Sequence, residues 1–176
     1  MQERFFTRST DDLVRVAQTV ADTFRNRGRL FTVGTGVSGH IAQILAGSLT
    51  HRISIGRPPL PAVALGTDAS LISAIVEHSS TDSIFSHQLE ALGSKGDMVI
   101  AFSSDGDSPA VLHALVQARE AGLATAAFLG RDGGKMKNYT EMSLVVEAQR
   151  SAPVHEVHLA AAQILAQLVE RRLFSL

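Results

Sequence analysis

With 176 residues, 45% of them hydrophobic, the chain is long enough to bury one sizeable core. It has no Cys, which excludes disulfides, thiol catalysis and thiolate-bound metals. A formal net charge of −1 leaves no electrostatic footprint for nucleic acid, and "MQERFFTRSTDD" resembles neither a signal peptide nor a membrane anchor, so a cytoplasmic protein is expected, with no direct contact to nucleic acid or membrane.

Leu13, Val16, Ala17, Val20 and Phe24 recur at helical spacing. They predict a helix from Ser9 to Arg27, capped by Ser9 or Thr10 and ended by Gly28. "RLFTVG" reads as a first strand, "TGVSGH" as a turn, and Ser38 to Leu49 as a helix. "PAVALG" is a second strand, followed by helices over "DASLISAI" and "SIFSHQLEAL". "DMVIAFS" is a third strand, and "SPAVLHALVQAREAG" a helix with Pro109 in its first turn. "ATAAFLG" and "MSLVVE" are strands four and five, and Pro153 to Leu173 is a long amphipathic helix.

Apolar strands alternating with helices imply a parallel sheet covered on both faces. The expected fold is α/β, a doubly wound three-layer sandwich around a five-stranded parallel sheet. One domain is expected over 1–176: an N-terminal helix at 1–28, the α/β core at 29–150 and a C-terminal helix at 151–176.

Ligands of such sheets bind beyond the carboxyl ends of the strands, where strand order reverses. In the order 2-1-3-4-5 that crevice lies between strands one and three. Two loops meet there, "GTGVSGH" (34–40) and "SSDGDS" (103–108), both rich in Gly and Ser and both opening a helix. Free N–H groups and a partial positive charge at a helix N-terminus suit a phosphate oxygen. A dinucleotide is a poor fit. Gly34, Gly36 and Gly39 approximate its fingerprint, but no acidic residue follows at the ribose-binding distance; "ISIGRPP" stands there. "GRDGGKM" lacks the spacing of a P-loop.

At these loops the chain resembles the sugar isomerase (SIS) domains of the phosphoheptose, or sedoheptulose 7-phosphate, isomerase family. "GTGVSG" corresponds to the family's "GNGGSA", and "SSDGDS" to its "STSGNS". "LTHR" (49–52), "RPPLPAVAL" (57–65), "TDAS" (67–70), "GRDGGKM" (130–136) and "HEVH" (155–158) extend the match. The resemblance implies a phosphorylated sugar (a heptose or relative) as ligand, a homotetramer or dimer, and no cofactor. Together with the loop chemistry it nominates Gly36, Ser38, Ser103, Ser104, Asp105, Ser108, Asp68 and Arg52 as ligand contacts.

The resemblance also implies a Glu and a His as the acid–base pair for moving a proton between adjacent carbons. Ser48 stands at the Glu position and Gln163 at the His position, and neither titrates near neutral pH. An earlier family His is Ile44 here, so the family's zinc ligands are missing and no metal is expected. His155 is the one weak candidate for a substitute base; His158 reads as a core or interface residue. Glu77 and His78 read as loop variation, and His40 as solvent-exposed.

One branch of the family, the DnaA initiator-associating proteins, also carries Ser for the catalytic Glu and lacks the final His. It makes DnaA a possible protein partner, although that branch has Arg at the position of Asp105. The implied readings are a non-catalytic phosphosugar-binding protein, an active ketose–aldose isomerase, or a DnaA-binding regulator. Within "SSDGDS", Asp107 reads as a helix cap, whereas Asp105 replaces a ligand-binding Ser and opposes a phosphate dianion. Lys95, Arg52, Arg57 or a neighbouring subunit's lysine are the candidates to offset that charge.

Overall fold

The computed structural model describes residues 1–51 and 56–174. The apolar runs form β1 (Leu30–Gly34), β2 (Ala62–Ala64), β3 (Met98–Ser103), β4 (Ala124–Gly130) and β5 (Met142–Val146). All pair in parallel in the order β2-β1-β3-β4-β5. Gly34 lies opposite Phe102 in this register, so β1 and β3 deliver their loops at one level. The helices are α1 (Gln2–Arg25), α2 (Val37–His51), α3 (Ala69–His78), α4 (Ser86–Leu92), α5 (Pro109–Glu120) and α6 (Ser151–Phe174).

Alternation along each strand divides the core in two. Leu30, Met98, Ile100, Phe102, Ala126 and Phe128 face α1, α2 and α6. Phe31, Val33, Val99, Ala101, Ala127 and Leu129 face α4 and α5. The resulting arrangement is the expected three-layer sandwich. Thr32, fully buried, donates its hydroxyl to the Ala42 carbonyl at 2.8 Å and so ties β1 to α2. Among the described residues no helix is long and apolar enough to cross a membrane.

Several boundaries differ from the sequence reading. α1 begins at Gln2, not Ser9, because Phe5 continues the buried face of Leu13 and Val16. Thr10 therefore sits inside the helix and donates to the Phe6 carbonyl instead of capping. At the other end Arg27, with φ 63°, takes the left-handed position assigned to Gly28. The Gly28 N–H closes on the Thr23 carbonyl at 2.8 Å, and the Arg27 N–H on Phe24 at 3.1 Å. This is a Schellman arrangement. The helix expected over 83–92 is a 3-10 turn (Thr81–Ser83) and the shorter α4. The connection between β4 and β5 contains a 3-10 turn, Lys135–Tyr139.

Candidate functional site

The two Gly/Ser loops face each other at the carboxyl ends of β1 and β3, and Thr35 Oγ1 lies 3.5 Å from Ser108 Oγ. The first loop turns tightly because its glycines let main chain meet main chain. A Cβ on Gly34 would stand 2.7 Å from the Ser38 carbonyl, and one on Gly39 2.8 Å from that of Gly34. Gly36 has φ +57° and open space around it; Ser38 is buried at the start of α2.

The second loop is braced from below by the β4 connection. A Cβ on Gly106 would approach the Gly133 carbonyl oxygen to 2.1 Å, and one on Gly130 would meet that of Ser104 at 2.1 Å. The Met136 N–H donates to the Gly106 carbonyl at 3.0 Å. Gly106 is also left-handed, with φ +78°. Gly106→Ala is therefore expected to lose about 2–3 kcal/mol of stability, from backbone strain and overpacking together. Gly36→Ala, where only strain applies, should lose about 1 kcal/mol. Denaturant unfolding of the two variants checks the difference.

Both aspartates of "SSDGDS" are committed to backbone partners. Asp105 Oδ1 accepts the Ser103 hydroxyl at 3.1 Å and the Asp107 N–H at 3.1 Å. The Gly106 N–H donates to Ser103 Oγ at 3.0 Å. Asp107 does not cap α5: the N-cap is Ser108, without a side-chain bond, and Pro109 follows it. Asp107 Oδ1 instead accepts the Lys135 N–H at 3.1 Å, adding to the brace. Ser104 is half-buried beside these groups.

The other nominated contacts lie apart from this cluster or are engaged elsewhere. Asp68 caps α3, its Oδ1 accepting from the Ser70 and Leu71 N–H groups at 2.9 and 3.0 Å. Arg52 lies outside the described residues. Lys95 precedes β3 at the opposite end of the sheet, against Gly122, so it does not offset Asp105. Arg57 does not offset it either: its guanidinium is buried against Glu170 at 2.8 Å. Glu77 and His78 end α3 instead of lying in a loop, and His40 is exposed on α2.

Ser48 is half-buried on α2, with its carbonyl accepting from Arg57 Nη2 at 3.0 Å. Gln163 is exposed on α6 and Ile44 on α2. His155 is half-buried, and burial lowers its pKa below the ordinary histidine value. His158 is fully buried between Phe102 and Phe128, edge-on to both rings at 6.0 and 6.1 Å. Its Nε2–H donates to the Leu129 carbonyl at 3.3 Å, which leaves Nδ1 without a hydrogen bond.

Burial pushes the His158 pKa down to about 4, with a smaller push from His155 in the same direction. The folded protein thus binds this proton less readily than the unfolded chain. The contribution is complete above pH 6.5, the unfolded value, and falls away as pH drops through 4. Between pH 7 and 4 it should remove on the order of 3 kcal/mol. Urea midpoints across that range should fall in the wild type and fall less steeply in His158→Leu.

Two features escaped the sequence reading. The brace from Gly133, Gly134 and Lys135 was signalled only by adjacent glycines before a short turn. A second concavity, about 830 Å³, lies between α1 and the far edge strand β5. Arg4 and Arg8 on its wall are already paired to Glu147 at 2.8 and 3.0 Å. The strand-order reversal, with its converging backbone donors, is the better candidate for recognition.

Known proteins resemble the chain in sequence and in fold. A family model described as "SIS domain" matches residues 1–130. The chain is 40% identical over 174 residues to a phosphoheptose isomerase of Nitratidesulfovibrio vulgaris, covering 99% of this chain and 84% of that protein. It is 39% identical over 162 residues to one from Roseiflexus sp., covering 92% and 82%. Among solved structures, a phosphoheptose isomerase from Neisseria gonorrhoeae superposes with a TM-score of 0.90 at 29% identity, over 96% of this chain and 90% of that one. One from Francisella tularensis gives 0.88 at 29% identity, over 92% and 86%.

Proposed function

The chain belongs to the SIS-domain family, among the phosphoheptose isomerases, and from that premise we propose that it binds a phosphorylated sugar between the β1–α2 and β3–α5 loops without isomerising it. The observation that carries the reading is the pair Ser48 and Gln163. They stand on α2 and α6 where the family resemblance expects a Glu and a His, and neither side chain moves a proton near neutral pH. The facing loops retain the small residues and helix N-termini that suit a phosphate.

A homotetramer or dimer is part of the proposal. Ile44 on α2 and Leu159 and Ile164 on the adjoining α6 expose apolar surface that a second copy would cover. The test combines calorimetry with sedoheptulose 7-phosphate and an isomerase assay on the same preparation. Saturable heat without product supports the reading. Product at a rate comparable to the similar isomerases overturns it.

A further inference from the structure

In the β3–α5 loop, the group that meets the converging donors belongs to the protein itself. Asp105 Oδ1 accepts the Ser103 hydroxyl and the Asp107 N–H, each at 3.1 Å. A third donor of the loop, the Gly106 N–H, is spent on Ser103 Oγ at 3.0 Å. Asp107 cannot relieve the arrangement, because its own Oδ1 holds the Lys135 N–H. Neither Lys95 nor Arg57 stands near enough to neutralise the carboxylate, the first lying beyond the far end of β3 and the second paired with Glu170.

We propose that Asp105 is an internal competitor for phosphate, a specificity-determining residue whose carboxylate occupies the donors that a phosphosugar needs. The proposal rests on the phosphosugar reading above. A phosphate oxygen and Asp105 Oδ1 seek the same two hydrogens, and two anions do not share them at hydrogen-bonding range without strong repulsion. The ligand therefore binds only when the Asp105 side chain rotates away. That step breaks two hydrogen bonds and leaves a like charge beside the site. Affinity for phosphorylated ligands is lowered accordingly. The loop backbone need not move, since the Met136 N–H to Gly106 carbonyl bond and the close glycine contacts hold it independently.

Calorimetry with sedoheptulose 7-phosphate and, separately, inorganic phosphate tests this on wild type, Asp105→Ser and Asp105→Asn. Asp105→Ser should tighten binding of both probes by about 10- to 100-fold, as expected from removing a like charge at close range. Asp105→Asn keeps an acceptor for the two donors but drops the charge, and should fall between the two. Equal or weaker binding by Asp105→Ser, with the wild type still binding, overturns the competitor role and leaves the phosphosugar reading standing. If neither wild type nor Asp105→Ser binds either probe at millimolar concentration, the phosphosugar reading falls and takes the competitor role with it. Circular dichroism of each variant confirms that the loop change has not unfolded the chain.

Discussion

Wild-type protein is expected to convert sedoheptulose 7-phosphate at least about a hundredfold more slowly than an isomerase with its acid–base pair intact. A positioned acid or base contributes roughly a hundredfold to ten-thousandfold, and here two positions carry Ser48 and Gln163. Because paired groups act as a unit, losing both costs less than the product of the separate losses, so the lower bound is the useful figure. Replacement from nearby is restricted. His158 is fixed to the Leu129 carbonyl between two phenylalanines, with a pKa near 4, and does not reach a sugar carbon from inside the core. His155 is the remaining histidine on α6, half-buried and with a lowered pKa. A coupled assay at substrate saturation decides. Turnover within tenfold of the comparison enzyme rejects the non-catalytic reading. If that turnover vanishes in His155→Ala, His155 is the base.

Glu170→Gln should reduce the unfolding free energy by about 3–5 kcal/mol. Its carboxylate meets Arg57 Nε at 2.8 Å, and both side chains are only 1% exposed. Arg57 does more than pair. It donates to the carbonyls of Ser48 and Leu49 at 3.0 and 2.7 Å, satisfying the end of α2 where backbone acceptors lack helical partners, and to that of Pro58 at 3.0 Å. Its guanidinium also lies 5.9 Å from the Phe174 ring centre. Neutralising Glu170 leaves this cation buried without its counter-charge, which costs more than the intact pair contributes over a hydrophobic substitute. Adding Arg57→Met to Glu170→Leu should accordingly cost less than the sum of the single changes, by more than about 1 kcal/mol. Additive losses in urea unfolding would show that the two side chains do not act as a pair.

The fold was legible because its signals are local. Leu30 and Phe31 point to opposite faces simply by alternation, and Pro109 and the Ser-rich loop mark the start of α5. Loop placement then followed from strand order alone. Misreadings arose where a residue had two uses. Ser9 and Thr10 look like caps, but Phe5, two helical turns before Leu13, prolongs the buried stripe and carries the helix past them. Asp107 looks like a cap for the helix just after it, yet its partner is Lys135, on the next loop. The Arg57–Glu170 pair joins residues 113 positions apart, a separation that no spacing rule registers. Its only trace was an acid following Val169 on the apolar face of the last helix. The bonds of Asp105 Oδ1 to the Ser103 hydroxyl and the Asp107 N–H were equally hidden: the sequence raised the charge conflict but not the partners that the carboxylate takes.

The backbone brace beneath "SSDGDS" bears on how such a site changes over descent. Glycine-to-glycine contacts and a main-chain hydrogen bond hold the loop's curve, joined by side-chain ties to Ser103, Asp105 and Asp107. The side chain at 105 adds one bond to that frame, from the Asp107 N–H, and the glycine contacts do not depend on it. If Asp105 competes with phosphate as proposed, one codon change at position 105 alters what the loop accepts while the glycine contacts keep its path. On the proposed competitor role, a lineage on this scaffold would gain or lose anion recognition in single steps.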